Sequence, residues 1–357
     1  VAAFGGAVAI DGGTVRSTQG PALLSMGPGS RIISKNAKIV GNADGQSVVS
    51  SVDGGQIALS GGSIEANGNN YASALMATGE GSRVDAEKLT IDVFGTGETD
   101  PVAIAVASSG GHIALNGANA TAAGSNVLAL WSEGAGSQVD VLGTTITLDG
   151  PNSGGGLARN AGALSLTGTS ITTHGAVGTG LQSFESARIE AFDTDVSTSG
   201  SSATGLRADT TGAINFVRGS VATTGDYSYG AESTDEGDLT LVETTITTSG
   251  KLSDAVRVGE NSIVIARDVT LHTSNEDAYG VYAFDGGSAS LDDASIDTKG
   301  EFAYGVSAVD PASHVSIDGA SVTTSGRTAN GIDAYLGGTV TANNVAVTTH
   351  GESSFAM

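Results

Sequence analysis

The chain contains no cysteine, so neither a disulfide framework nor a thiolate metal site can exist in it. Prolines number only 5 and aromatic residues make up 4% of the sequence, which excludes a collagen-like pattern and a Pro-rich linker protein. Bases are scarce, 15 against 38 acids, and the formal net charge of -23 opposes capture by phosphate backbones or anionic lipid. Nucleic acid and membrane surfaces are therefore not expected partners. No apolar run approaches the roughly 20 residues that a membrane helix needs, and no basic-then-apolar signal peptide precedes "VAAFGG". The sequence reads as a mature excerpt of a longer protein.

What it does have is glycine, 54 residues spread along all 357 positions, together with short β-branched alternations separated by Gly, Asn, Asp and Ser. That composition favours many short strands joined by tight turns. One beat recurs: "SITTHG" (Ser170 to Gly175), "TITTSG" (Thr245 to Gly250), "SIDTKG" (Ser295 to Gly300) and "SVTTSG" (Ser321 to Gly326). The position closing the beat falls at Gly68, Gly95, Gly124, Gly150, Gly175, Gly200, Gly225, Gly250, Asn275, Gly300, Gly326 and Gly351, at intervals of 25 to 29 residues that settle at 25. A fixed period of that size means one supersecondary unit stacked on copies of itself.

Each period holds three alternations, for example "GVSAV" (Gly305 to Val309), "HVSID" (His314 to Asp318) and "SVTTS" (Ser321 to Ser325), with no helical stretch between them. The reading is an all-β, right-handed parallel β-helix (a solenoid) of about 25 residues per three-strand coil and about 14 coils, residues 1–357 forming a single domain. Residues one period apart then stack in columns at the interstrand spacing of about 4.8 Å, giving a rod of roughly 65 Å. The columns Leu181, Leu206, Ala231, Val256, Val281, Val306, Ile332 and Ala191, Phe216, Leu241, Ala266, Leu291, Ile317 are apolar and face the core. The column Gln182, Arg207, Glu232, Arg257, Tyr282, Ser307, Asp333 is polar and faces out. Around Ile263 to Ile265 either phase would put an isoleucine inside.

In the beat, Ile171, Val196, Val221, Ile246, Leu271, Ile296, Val322 and Val347 point inward. So does the Thr two positions on, at 173, 198, 223, 248, 273, 298, 324 and 349. Stacked Thr hydroxyls are expected to hydrogen-bond along the column, and the glycine to take a turn conformation that other residues resist.

Candidate chemistry is sparse. Asp193, Arg218, Glu243, Asp268 and Asp293 recur at 25-residue steps, and neighbouring carboxylates could raise one another's pKa or share a cation. Turns favour Asp, however, and no Lys/Arg cluster joins the column to make a lyase site. His112, His174, His272, His314 and His350 lack metal-ligand spacing, and no "GxSxG" frames a nucleophile. No metal, cofactor or catalytic residue is assigned, and the chain is read as a non-enzyme.

The residues that break the beat are the better candidates for binding. Tyr229, Tyr279, Tyr282 and Tyr304 cluster after residue 226, and Arg207, Glu232 and Arg257 form a sign-alternating ladder on the outward face. Tyr and Arg are the side chains that anchor protein interfaces, and a parallel sheet gives them a rigid platform. The longest intervals place "GTGETDP" (Gly95 to Pro101) and "GPNSGGG" (Gly150 to Gly156) at turns, where insertions carry recognition.

Through "GGSIEANG", "GTSITTHGAVGTGL" and "GASVTTSGRTANGI", with turns such as "DGGQI" and "GGTV", the whole chain resembles the passenger domain of a pertactin-like Gram-negative autotransporter. The resemblance implies export through a C-terminal outer-membrane barrel not contained in this sequence. It implies display on the bacterial surface or release, and action as an adhesin or immune-evasion factor. The expected partner is a host extracellular protein: matrix, receptor or serum complement regulator. The domain itself is expected to be monomeric. The chain has no "RGD" and no "GDSGS", so neither integrin adhesion nor serine-protease activity carries over from relatives. A carbohydrate-active enzyme and a self-association module are the alternatives.

Overall fold

A computed structural model describes all 357 residues. It holds 42 strands and no helix, arranged as a parallel β-solenoid of about 14 turns with about 25 residues per turn. Successive strands go in rotation to three parallel sheets, so that every third strand along the chain belongs to the same sheet. We call these the first, second and third sheets. The architecture is the one that periodicity and the autotransporter resemblance both imply. In the coil ending at Gly326 the strands are Val306–Val309, His314–Asp318 and Ser321–Thr324, within a residue of the sequence reading at each end.

By its contacts the chain divides into two compact units, Val1–Gly175 with Ala187–Ile189, and Ala176–Ser186 with Glu190–Met357. In the C-terminal unit the register follows the sequence arithmetic: Leu206 pairs with Ala231, Val256 with Val281, and Ile296 with Val322. Both apolar columns are buried, from Leu181 and Leu206 to Ile317, with Ile332 the most exposed member at 8%. At the ambiguous stretch the core takes Val264 and Ala266, while Ile263 lies outside, 47% exposed, and Ile265 is half-buried. The neighbours decide it: Leu239 pairs with Val264 and Leu241 with Ala266, and a slip of one residue would expose both columns.

The beat is built differently from its sequence reading in two respects. The Thr column is buried from Thr173 to Thr324, but from Thr198 onward its hydroxyls do not bond along the column. Thr198, Thr223, Thr248, Thr273, Thr298 and Thr324 each donate to the backbone carbonyl five residues on, at 2.6–2.7 Å. A strand that ends in a buried bend leaves a carbonyl without a ladder partner, and the Thr Oγ1 supplies one within its own coil. The glycine, in turn, adopts positive φ at Gly124 and Gly150, as expected, but not at Gly200, Gly225, Gly250, Gly300, Gly326 or Gly351. A Cβ added at Gly250 would overlap the carbonyl oxygen of Gly225, and one at Gly326 that of Gly300. Contact between stacked backbones selects Gly here, not its left-handed freedom.

The left-handed positions are the corners, and many carry side chains. Asp193, Arg218, Glu243, Asp268 and Asp293 have φ of 49–53°, as do Val177, Tyr227, Leu252 and Phe302 at 52–59° on another corner. "GPNSGGG" is only half a turn, since Gly154–Gly156 open the strand Gly154–Arg159. There Gly154 pairs with Leu128 and Gly156 with Leu130, so the glycines leave room beside large neighbours.

Candidate functional site

The first sheet of the C-terminal unit presents the outward column that runs through Arg207, Glu232, Arg257 and Tyr282. Its strands Leu206–Ala208, Ala231–Ser233, Val256–Val258 and Val281–Ala283 are three residues long, so one residue of each faces out between two core residues. Side chains three before and two after each strand's outward position, such as Tyr279 and Phe284 about Tyr282, flank it.

Arg257 is at its centre. Its guanidinium lies 4.6 Å from the ring of Tyr229, 4.5 Å from Phe284 and 5.5 Å from Tyr282, and Nη1 donates to the Tyr229 hydroxyl at 3.1 Å. Phe284 reaches this position because residue 259, one coil earlier, is glycine: a Cβ there would overlap the Phe284 ring. The aromatics continue past the arginine. Tyr282 stacks on Phe284 at 5.4 Å and meets Tyr279 edge-on at 5.2 Å, and Tyr279 stacks on Tyr304 at 5.1 Å with rings 6° apart. Such pairs hold side chains in one arrangement before any partner arrives.

Acids close the network from below. Glu232, its side chain 12% exposed, lies 3.7 Å from both Arg207 and Arg257. Arg207 also meets Asp209 at 2.9 Å, and Asp209 accepts from Gln182 at 3.3 Å. Asp254, 4% exposed, lies 3.7 Å from Arg257 and accepts the backbone N–H of Tyr279 at 2.8 Å. Burial pushes the Asp254 carboxyl up to about 7, against the opposing pull of that N–H and of Arg257. Burial likewise raises Glu232, with Arg207 and Arg257 opposing, and raises Tyr279.

The structure thus brings together all seven residues singled out in the sequence, Arg207, Tyr229, Glu232, Arg257, Tyr279, Tyr282 and Tyr304. Sequence reasoning missed Phe284, Asp254 and Asp209. The column arithmetic could have found Phe284, which stands one period after Gly259 and two residues after Tyr282. It also missed the corner beside the cluster, where Tyr227 is 55% exposed, Leu252 39% and Phe302 36%, all three in left-handed backbone. Large side chains rarely accept that conformation, and apolar ones gain nothing from exposure. Tyr227 and Leu252 rim a cleft of about 430 Å³ with Tyr229, Asp254, Arg257 and Tyr279.

The carboxylate column is a corner. Arg218 meets Asp193 at 2.9 Å and holds its carboxyl below the usual range. Of the histidines, His112 pairs with Asp140 and His174 with Asp149, each at 2.7 Å, and no three His, Asp or Glu side chains converge as a cation site would require.

No protein-family model matches the sequence, and no curated protein matches it. Among solved structures, the cryo-EM structure of the Vag8–C1 inhibitor complex aligns with 97% of this chain and 76% of the matched chain at 19% identity, with a TM-score of 0.60. That likeness shows a shared fold. The crystal structure of a hyper-glycosylated TibA fragment aligns with 95% of this chain and 99% of the fragment at 13% identity, with a TM-score of 0.38.

Proposed function

We propose that the chain is the passenger domain of a pertactin-like autotransporter, displayed on or released from a bacterial surface, and that it binds a host extracellular protein through the Arg257 face. The observation that carries this reading is a half-buried arginine caged by Tyr229, Tyr282 and Phe284 and extended by the Tyr279–Tyr304 stack. Protein-binding hot spots have this chemistry: aromatic rings and arginine, held rigid and surrounded by groups that exclude water. The fold shared with Vag8, a protein solved in complex with C1 inhibitor, supports a soluble host protein as partner, whether serum regulator, matrix component or receptor.

Purified C1 inhibitor is the first probe, followed by plasma and matrix proteins, over the immobilised chain. Saturable binding to one of them should weaken about tenfold or more in the double variant Tyr279→Ala, Tyr304→Ser, the size expected for losing two aromatic anchors. Ile263→Thr, on the outer face of the second sheet, should leave it unchanged. No saturable partner, or one equally well bound by the double variant, would refute this assignment of the face.

A further inference from the structure

The N-terminal unit carries a second site on the outer face of its first sheet, and we propose that it binds a neutral pyranose sugar. The strands Ser73–Thr78, Val102–Ser108 and Val127–Glu133 align Met76, Val106 and Trp131 on their outer face, in register. With Tyr71 above them they line a cavity of about 400 Å³, within the usual range of about 300–1,000 Å³ for small-molecule sites.

Two independent observations point to a ligand. Trp131 is only 6% exposed, and its indole N–H is shielded from solvent without a hydrogen-bond partner. Buried donors are nearly always paired, so this one is short of an acceptor that folding does not supply. Tyr71, in contrast, is 56% exposed and sits at φ 58°, a conformation that an aromatic residue adopts at a cost. Asp100 of the "GTGETDP" loop stands close enough to its hydroxyl to raise the Tyr71 pKa, which places that loop beside the ring.

The chemistry selects the ligand. The rings of Tyr71 and Trp131 are 16° from parallel with centroids 6.4 Å apart, wider than the 5.1 Å of the Tyr279–Tyr304 stack. An outward rotation of Tyr71 would admit a sugar ring between them, its C–H faces against the aromatics. Ser73 donates to Ser47 at 2.7 Å, and Ser47 donates to the thioether of Met76 at 3.2 Å, a weak acceptor that a ligand hydroxyl would replace with gain. The charged groups are already engaged, Glu133 by Arg159 at 2.8 Å and Asp100 by the Thr99 hydroxyl at 2.9 Å, so none is left to select an ion. A pyranose offers what remains: an apolar C–H face for the rings, and hydroxyls that accept from the indole and from Ser47.

Trp131 is the only tryptophan of the chain, so indole fluorescence reports this site alone. The purified chain is titrated with methyl glucoside, methyl galactoside, N-acetylglucosamine and lactose, with glucuronate and an aromatic-rich peptide as contrasting probes. A saturable response to at least one neutral sugar is expected. It should weaken about tenfold or more in Tyr71→Asn and in Ser47→Val, as loss of a stacking or hydrogen-bonding partner implies. Asn accepts left-handed backbone, so Tyr71→Asn should keep its unfolding midpoint. Ligand-observed NMR on the unaltered chain gives a second reading, in which the sugar's C–H face receives saturation. The proposal falls if no neutral sugar binds, if only glucuronate or the peptide does, or if both variants bind as the parent does.

Discussion

Two stretches of the same sheet have opposite outer surfaces. In the N-terminal unit the outward column holds Met76, Val106, Trp131 and Leu157, and its strands run to six or seven residues. In the C-terminal unit it holds Arg207, Glu232, Arg257 and Tyr282 on strands of three. The inner columns of both hold aliphatic residues and small ones, among them Ser51, Ser132, Ser183 and Ser233, because stacking imposes the same demand on each. The difference lies where stacking makes no demand. There one unit has built an apolar cavity under a loop, and the other a caged arginine with its acids.

The corner between second and third strands does not divide the units in this way. It is glycine at Gly61, Gly117, Gly143, Gly168 and Gly319 and carries a side chain at Asn36, Lys88, Arg218, Glu243 and Asp268, all with φ of 49–66°. A corner glycine is therefore a preference, whereas glycine at the beat is the rule from Gly68 onward with Asn275 the one departure, and the largest expected effect tests that distinction. Gly250→Ala forces a Cβ into the Gly225 carbonyl and should cost about 3 kcal/mol or more by urea unfolding. Gly143→Ala meets no atom and should cost about 1 kcal/mol, from left-handed backbone alone. Equal costs would mean that the coils can separate to admit a methyl group.

Next in size are the two arginines. Arg257→Met takes from Asp254 its neighbouring cation and from Glu232 one of two, Arg207 remaining, and should destabilise by about 2 kcal/mol. Arg159→Met removes one ion pair to Glu133, both side chains about a third exposed, and a contact over Trp131, and should cost about 1 kcal/mol or less.

Asp254 should also give the C-terminal unit its own pH dependence. Its carboxyl takes a proton near pH 7 when folded and near 3.8 when unfolded, so between those values the folded state binds the extra proton. Its contribution therefore favours folding as pH falls from about 7 to about 4, against the usual carboxylate trend. Asp254→Asn, which can still accept the Tyr279 N–H, should remove that component from the unfolding midpoint measured across this range. An unchanged pH profile would mean that Asp254 stays ionised at neutral pH.

The smallest effect is Thr248→Val, which keeps the shape and leaves the Ser253 carbonyl unpaired; about 1 kcal/mol is expected. If Thr hydroxyls bonded along the column instead, the loss would spread to the Thr223 and Thr273 coils, and Thr223→Val, Thr248→Val would not be additive.

Much of the candidate face was legible because columns are arithmetic: once Arg207 and Glu232 are 25 apart, they are neighbours. Asp254 and Phe284 were not, since an acid beside a strand and a ring after it gain meaning only when a third coil closes over them. Nor could the sequence give the role of the beat glycine, since the atom that excludes a side chain at Gly250 belongs to Gly225. Trp131 shows the same limit, for its missing hydrogen bond exists only relative to the loop and strands that shield it.

By itself the sequence determined the period, the inward and outward phase of the strands from Ser170 onward, and hence the three-sheet solenoid. Periodicity is a local property, and parallel stacking turns it directly into contact. Only the tertiary structure decided what each repeated residue does. Thr caps its own coil, the beat glycine makes room for the coil before it, and Ile263 yields the core to Val264. These roles depend on distances between backbones one coil apart, which no single coil encodes.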